Sequence, residues 1–207
     1  MPVELQIDHL VVSASRLADG VAYVEQKLGL RMLPGGKHPD MGTHNALLNL
    51  GETYLEVIAI DPEANAPDHP RWFNLDNFTG PPRLTNWVAR TDDLDAALAL
   101  APDDIGTRRD LQRGDLRWSM VVPGNGKLPY DGAYPGLIEW HGEAHPNQRL
   151  GEPQCQLEVF QVAHPGAEQL RGDLARFEGG LSACVAFASP PSFHAAINTN
   201  AGLKVLT

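Results

Sequence analysis

One succession of elements occurs twice along this chain, and that duplication limits the fold more than any short motif does. Residues from about Val3 to Ser13 ("QIDHLVVS" within them) read as a strand. Leu17, Val21, Val24 and Leu28 then recur at helical spacing, with Ser15 as a candidate cap and Gly29 suited to the C′ position. "LRMLPGG" is a short strand ending in a Pro-Gly-Gly break, and "THNALLNL", the turn "GET" and "YLEVIAID" form a hairpin. After a loop rich in Pro, Asp and Asn a similar order returns: "RLTNWVART", the Asp-capped helix "DDLDAALALA", the strands "GTRRDLQ" and "LRWSMVV", and the closing strand "GLIEWHG". Setting Leu17 over Leu94 puts His9 opposite Asn86, and setting "YLEVI" over "LIEWH" puts Glu56 opposite Glu139.

The predicted fold class is therefore α+β: two tandem βαβββ modules, about 3–62 and 83–143, whose mixed sheets curl into one cleft within residues 1–150. Residues 151–207 carry a further strand, helix and strands and read as a C-terminal βαββ extension packed on that unit, structural in role. With no apolar run of membrane-spanning length and no signal-peptide pattern in "MPVELQID", a cytoplasmic protein is expected, with no membrane partner. The formal net charge of −10 and scattered Lys and Arg argue against nucleic acid as a partner. Cys155 and Cys184 fall in separate strand-like segments and are expected as reduced thiols.

His9, Glu56, Asn86 and Glu139 occupy matched positions of the two repeats. Glu56 and Glu139 have apolar neighbours, in strands that should be buried, where an unpartnered carboxylate costs several kcal/mol. Two carboxylates and an imidazole converging on one cavity would bind a divalent cation, because each offers a lone pair. A lone strand histidine is more often structural, and the matched carboxylates move His9 toward a site. "HPDMGTHN" adds His38, His44 and Asn45 in a loop entering a strand, against the plainer reading of two solvated histidines beside a turn. His141 follows Glu139 by two residues, His145 could cap the cleft mouth, and Trp118, with Trp87 and Trp140, is either core or the wall of an apolar pocket. No G-x-S-x-G elbow, P-loop or G-x-G-x-x-G stands in place for other chemistries.

The repeated order, the "DHLVV" opening and the "YLEVIAI" closing strand resemble the vicinal oxygen chelate superfamily. "GGKHPDMGTHNALLNL" followed by "YLEVIAI" is similar to the first module of its glyoxalase-like branch, which often carries a C-terminal extension. The resemblance implies that metal ligands come from the first and last strands of each module. By position it assigns His9, Glu56 and Glu139 to a divalent ion (Zn, Ni, Mn or Fe), with Asn86 as a departure because an amide oxygen is a weak donor. It implies a metal-dependent lyase or isomerase, or a dioxygenase, acting on a small oxygen-chelating substrate. In that reading Glu139 is the base, His44 a secondary acid/base, and Asn45, Asn86, Trp118 and His141 contact substrate. A homodimer is the corresponding expectation for assembly. The rival is a metal-free binding or sequestration module in which His9 and Asn86 are pocket hydrogen-bonding groups. The plainest alternative is an interaction domain with both carboxylates in ordinary salt bridges.

Overall fold

The first strand, β1 (Gln6–Ser13), lies at the centre of the molecule, and its alternation decides what faces inward. The computed structural model describes residues 2–178, 181 and 183–207. After β1 come α1 (Leu17–Leu28), β2 (Leu33–His38), β3 (Thr43–Asn49) and β4 (Tyr54–Ile60). The second set is β5 (Arg83–Arg90), α2 (Leu94–Leu100), β6 (Thr107–Arg113), β7 (Leu116–Val122) and β8 (Gly136–His141). These eight strands form one curled sheet in the order β2-β3-β4-β1-β5-β8-β7-β6. β1 is parallel to β4 and β5 parallel to β8, so each module closes in the same way, and the two modules join by the antiparallel β1–β5 pair. The expected architecture is present.

Local chemistry accounts for the boundaries. Gly29 sits in the left-handed region at φ 71° and its N–H donates to the Glu25 carbonyl, which ends α1. Ser15 does not cap that helix; the Ncap residue is Arg16, with no side-chain bond. Asp93 does cap α2, accepting from Ala96 N. Pro34-Gly35-Gly36, expected to break the chain, lies inside β2, where the pairing with β3 skips between Pro34 and Lys37. The skip absorbs residues that cannot hold a regular ladder.

The convex side of the sheet is covered by α1, through Val24 and Leu28, and by α2, through Leu94 and Ala97, all fully buried or nearly so. A second sheet holds β9 (Cys155–Ala163), β10 (Ala183–Ala186), β11 (Ser192–Thr199) and β12 (Gly202–Leu206), with α3 (Ala167–Leu174) between β9 and β10. Its order is β10-β9-β11-β12, with β9 and β10 parallel, so its topology differs from that of the two modules. It packs on β5, where Trp87 meets Phe160 at 5.5 Å between ring centroids, and one continuous apolar core joins both sheets. Both cysteines are free, and burial pushes the Cys155 thiol up to about 11.

Candidate active site

The concave face of the curled sheet encloses a small chamber of ≈ 30 Å³. His9 on β1, Asn45 on β3 and Tyr54 and Glu56 on β4 line the first-module side; Trp118, Met120, Ile138 and Trp140 on β7 and β8 line the other. A bulge in β1 sets up the chemistry. Ile7 pairs with Ala89 but His9 with Val88, so Asp8 is an extra residue, and it turns toward the same interior as His9.

Asp8 is fully buried and accepts from three side chains. His9 Nδ1 lies 2.6 Å from its Oδ1, while Trp140 Nε1 (3.0 Å) and His145 Nε2 (3.1 Å) share Oδ2. Burial alone would raise this carboxyl, but the hydrogen bonds of His145 and His9 overcome it and hold Asp8 well below the usual carboxylate range. An ionised Asp8 only accepts, so the His9 proton sits on Nδ1, and His145 Nδ1, which accepts from Asn147 N, leaves its proton on Nε2. The other ring nitrogen, His9 Nε2, faces Glu56 Oε2, 3.5 Å away. Tyr54 stacks on the imidazole at 4.6 Å, and burial, then the Asp8 and Glu56 charges, keep its phenol neutral.

The far edges of the sheet meet across the same chamber. Asn45 Nδ2 donates to Glu56 Oε1 at 2.6 Å, while its Oδ1 accepts from Gly36 N and from Arg113 Nη1. Arg113 Nη1 also reaches His38 Nε2 at 2.9 Å. Because guanidinium only donates, His38 must carry its proton on Nδ1 and give it to Thr43 Oγ1. Burial, then the Arg113 charge, lowers the His38 pKa to about 3. Gly35 and Gly36 make this crossing possible: a Cβ at Gly35 would stand 2.0 Å from Asn45 Oδ1, and one at Gly36 would stand 2.8 Å from Arg113 Cδ. Among the described residues, Arg113 Nε and Nη2 make no hydrogen bond.

A profile described as a glyoxalase-like domain matches residues 7–177, most of the chain. The chain belongs to the glyoxalase-like domain family. Among solved structures, a hypothetical protein from Staphylococcus aureus superposes with a TM-score of 0.61 at 14% identity, covering 95% of this chain and 82% of that one. A hypothetical protein from Bacillus halodurans gives 0.46 at 12% identity, over 68% and 96%. A methylmalonyl-CoA epimerase from Streptomyces coelicolor, in complex with 2-nitronate-propionyl-CoA, gives 0.44 at 19% identity, over 66% and 97%. Curated proteins yield no match.

Within this glyoxalase-like domain the expected site residues divide. His9, Glu56, Asn45 and Trp118 converge on the chamber. Glu139 does not, because in β8 it is Ile138 and Trp140 that face inward. Its Oε2 accepts from Leu94 N at 3.1 Å, at the start of α2, with Arg108 Nη1 at 3.9 Å. His141 shares that convex face and approaches Ser119 Oγ at 2.7 Å. His44 is one residue out of phase with the inward-facing Asn45, so it too points away. Asn86 lines a separate, wider groove. Two polar groups at the chamber escaped the sequence reading: Asp8, which accepts from His9, and Arg113, which donates to Asn45 and His38.

The donor set tests the divalent ion implied by the family. His9 Nε2 and Glu56 Oε2 are suitable ligands, but the wall facing them is Trp118, Met120, Ile138 and Trp140, and the other charged side chain lining the chamber is the Arg113 guanidinium. Among the described residues no three His, Cys, Asp or Glu side chains come together as a ligand cluster. Catalytic sites for such ions ordinarily supply three protein ligands. The residues present do not fit the ion.

Proposed function

We propose that this protein is an acid–base enzyme, an isomerase or lyase, acting on a small oxyanion-bearing molecule, with Glu56 and His9 moving the proton and Arg113 holding the oxyanion. The pairing of a tautomer-fixed His9 with Glu56 at 3.5 Å carries the reading. A carbonyl compound seated between Glu56 and Arg113 would lose the proton on the carbon next to its carbonyl to Glu56 Oε2. The electron pair moves onto the carbonyl oxygen, giving an enolate that the unused Arg113 N–H groups stabilise. Glu56 returns the proton to the same carbon, or hands it to His9 Nε2, which delivers it to the enolate oxygen. Asp8 balances a positive charge on His9 during that transfer, the orienting role a buried carboxylate plays behind a catalytic imidazole.

The test is hydrogen exchange. A panel of 2-oxo and 2-hydroxy acids and their thioesters is incubated with the protein in D₂O and followed by NMR. Expected is deuterium appearing at the carbon next to the carbonyl, reduced at least a hundredfold in Glu56→Gln. Adding zinc, nickel, manganese or iron after chelator treatment should leave the rate unchanged, and a requirement for any of them would overturn the metal-free assignment. Thermal stabilisation by a panel member with no exchange would establish instead the binding-module reading, in which His9 and Glu56 only recognise the ligand.

A further inference from the structure

A chamber of ≈ 30 Å³ holds a water or the reacting head of a molecule, not a whole substrate. A groove of ≈ 760 Å³ lies beside it, and the two share one side chain, Phe73. Resting on the reading above, we infer that the groove seats the flat, anionic remainder of a substrate whose oxyanion head enters the chamber past Phe73.

Charge, shape and backbone conformation carry this. The chain has 26 acidic residues against 16 Lys and Arg, yet the groove reverses that balance. Lys27, Arg83, Lys127 and the His194 imidazole line it, with Asp131 as the one acidic side chain. At its rim the Thr207 carbonyl is already engaged by Leu84 N and Tyr23 Oη. Phe73, Phe78 and Phe193 give it planar walls, the Arg83 guanidinium stands 4.5 Å over the Phe78 ring, and the buried Asn86 amide lies at its floor. A ring with a carboxylate or phosphate matches these surfaces in shape and sign. Phe73 and Asn74 both stand in the left-handed region, at φ 55° and 54°, a conformation that costs a non-glycine residue energy and is held here by Asn74 N donating to the Gly126 carbonyl at 2.7 Å. That backbone is what sets the Phe73 ring between the two cavities.

The probes are 2-naphthoate, 2-naphthyl phosphate and the neutral 2-naphthamide, titrated into the full chain and followed by calorimetry and by side-chain NMR. Both anions should bind with at least tenfold preference over the amide, and the tighter of the two identifies the anionic group. The double variant Lys27→Glu/Lys127→Glu changes two exposed side chains and should lose tenfold or more in anion affinity. Equal binding of the amide, no binding at millimolar concentration, or indifference to the charge reversal would each overturn the groove assignment. Glu56→Gln should keep anion binding, so loss of exchange in that variant reports on the chamber alone. In Phe73→Ala, or in Phe73→Leu should the first not fold, the anions should also shift the Trp140 Nε1–H resonance, which they leave unmoved in the native protein. No such spread would overturn the shared path.

Discussion

The two modules have the same strand order but line the chamber differently. The first contributes His9, Asn45 and Glu56, a polar wall with Asp8 behind His9. The second contributes Trp118, Met120, Ile138 and Trp140, an apolar wall, with Arg113 reaching in from its edge strand. The two halves thus share a scaffold while presenting different side chains to the chamber. One consequence is electrostatic. The apolar half lowers the local dielectric in which His9, Glu56 and Arg113 interact, so each contact there is stronger than it would be in water. Another is structural, because Trp140 of the apolar wall donates to Asp8 behind the polar wall.

If that contrast is right, cutting the link between the walls should be the most damaging single change. Asp8→Ala leaves His9, His145 and Trp140 without their buried acceptor. Removing one member of such a buried charged network costs about 3–5 kcal/mol. Urea denaturation at pH 7 should show that loss, and the His9 ring should lose its single tautomer in ¹⁵N NMR. A loss under about 1 kcal/mol would mean that the walls are held together by packing alone.

The polar wall should also make itself felt through pH, in a way the apolar wall cannot. His38 stays neutral in the folded protein down to about pH 3, while the unfolded chain takes up its proton near the ordinary value of 6.5. A group with a depressed folded pKa contributes stability that is complete above the unfolded pKa and drains as the pH falls. Stability should therefore decline from about pH 6.5 downward, by as much as about 1.4 kcal/mol per pH unit from this one group. Asp8 adds to the decline below about pH 4, where its unfolded carboxyl protonates. Denaturation curves at pH 7, 6 and 5 for the native protein and His38→Gln should diverge at the native pH 7 end and converge on acidification. Parallel curves would mean that His38 is not held neutral by burial and the Arg113 charge.

The fold was legible because duplication leaves a periodic signal over tens of residues, long enough to survive errors at element ends. His9, Glu56 and Asn45 were legible too, as polar residues in phase along apolar strands. Glu139 was not, because matching "YLEVI" to "LIEWH" by its shared glutamate is one residue out of phase with the inward face of β8. A slip of one residue exchanges every side chain between the two faces of a strand. Asp8 was hidden by the opposite irregularity: strict alternation sends it away from His9, and only the bulge against β5 brings it back. Arg113 ends β6 before a Gly-Asp turn and reads as a surface residue; its role depends on β2 meeting β6 across the cleft, a contact between the most distant strands of the sheet.

The finest test of the contrast is the residue that letter-matching placed on the wrong wall. Glu139 is about one-fifth exposed and accepts from Leu94 N at the start of α2, where Asp93 already bonds Ala96 N. An anion at that end of a helix is favourable, and losing its charge costs about 1 kcal/mol or less. Glu139→Gln keeps an acceptor for Leu94 N, so the melting temperature should fall by only a few degrees. The exchange rate measured for the Glu56 chemistry should stay within about twofold of the native value, since the side chain stands on the convex face and touches nothing in the chamber. A hundredfold fall in exchange with the fold intact would restore Glu139 to the reaction, require β8 to be read in its other phase, and make the two walls chemically alike. The opposite pattern, a small stability cost with full exchange, leaves the second module as the wall that packs.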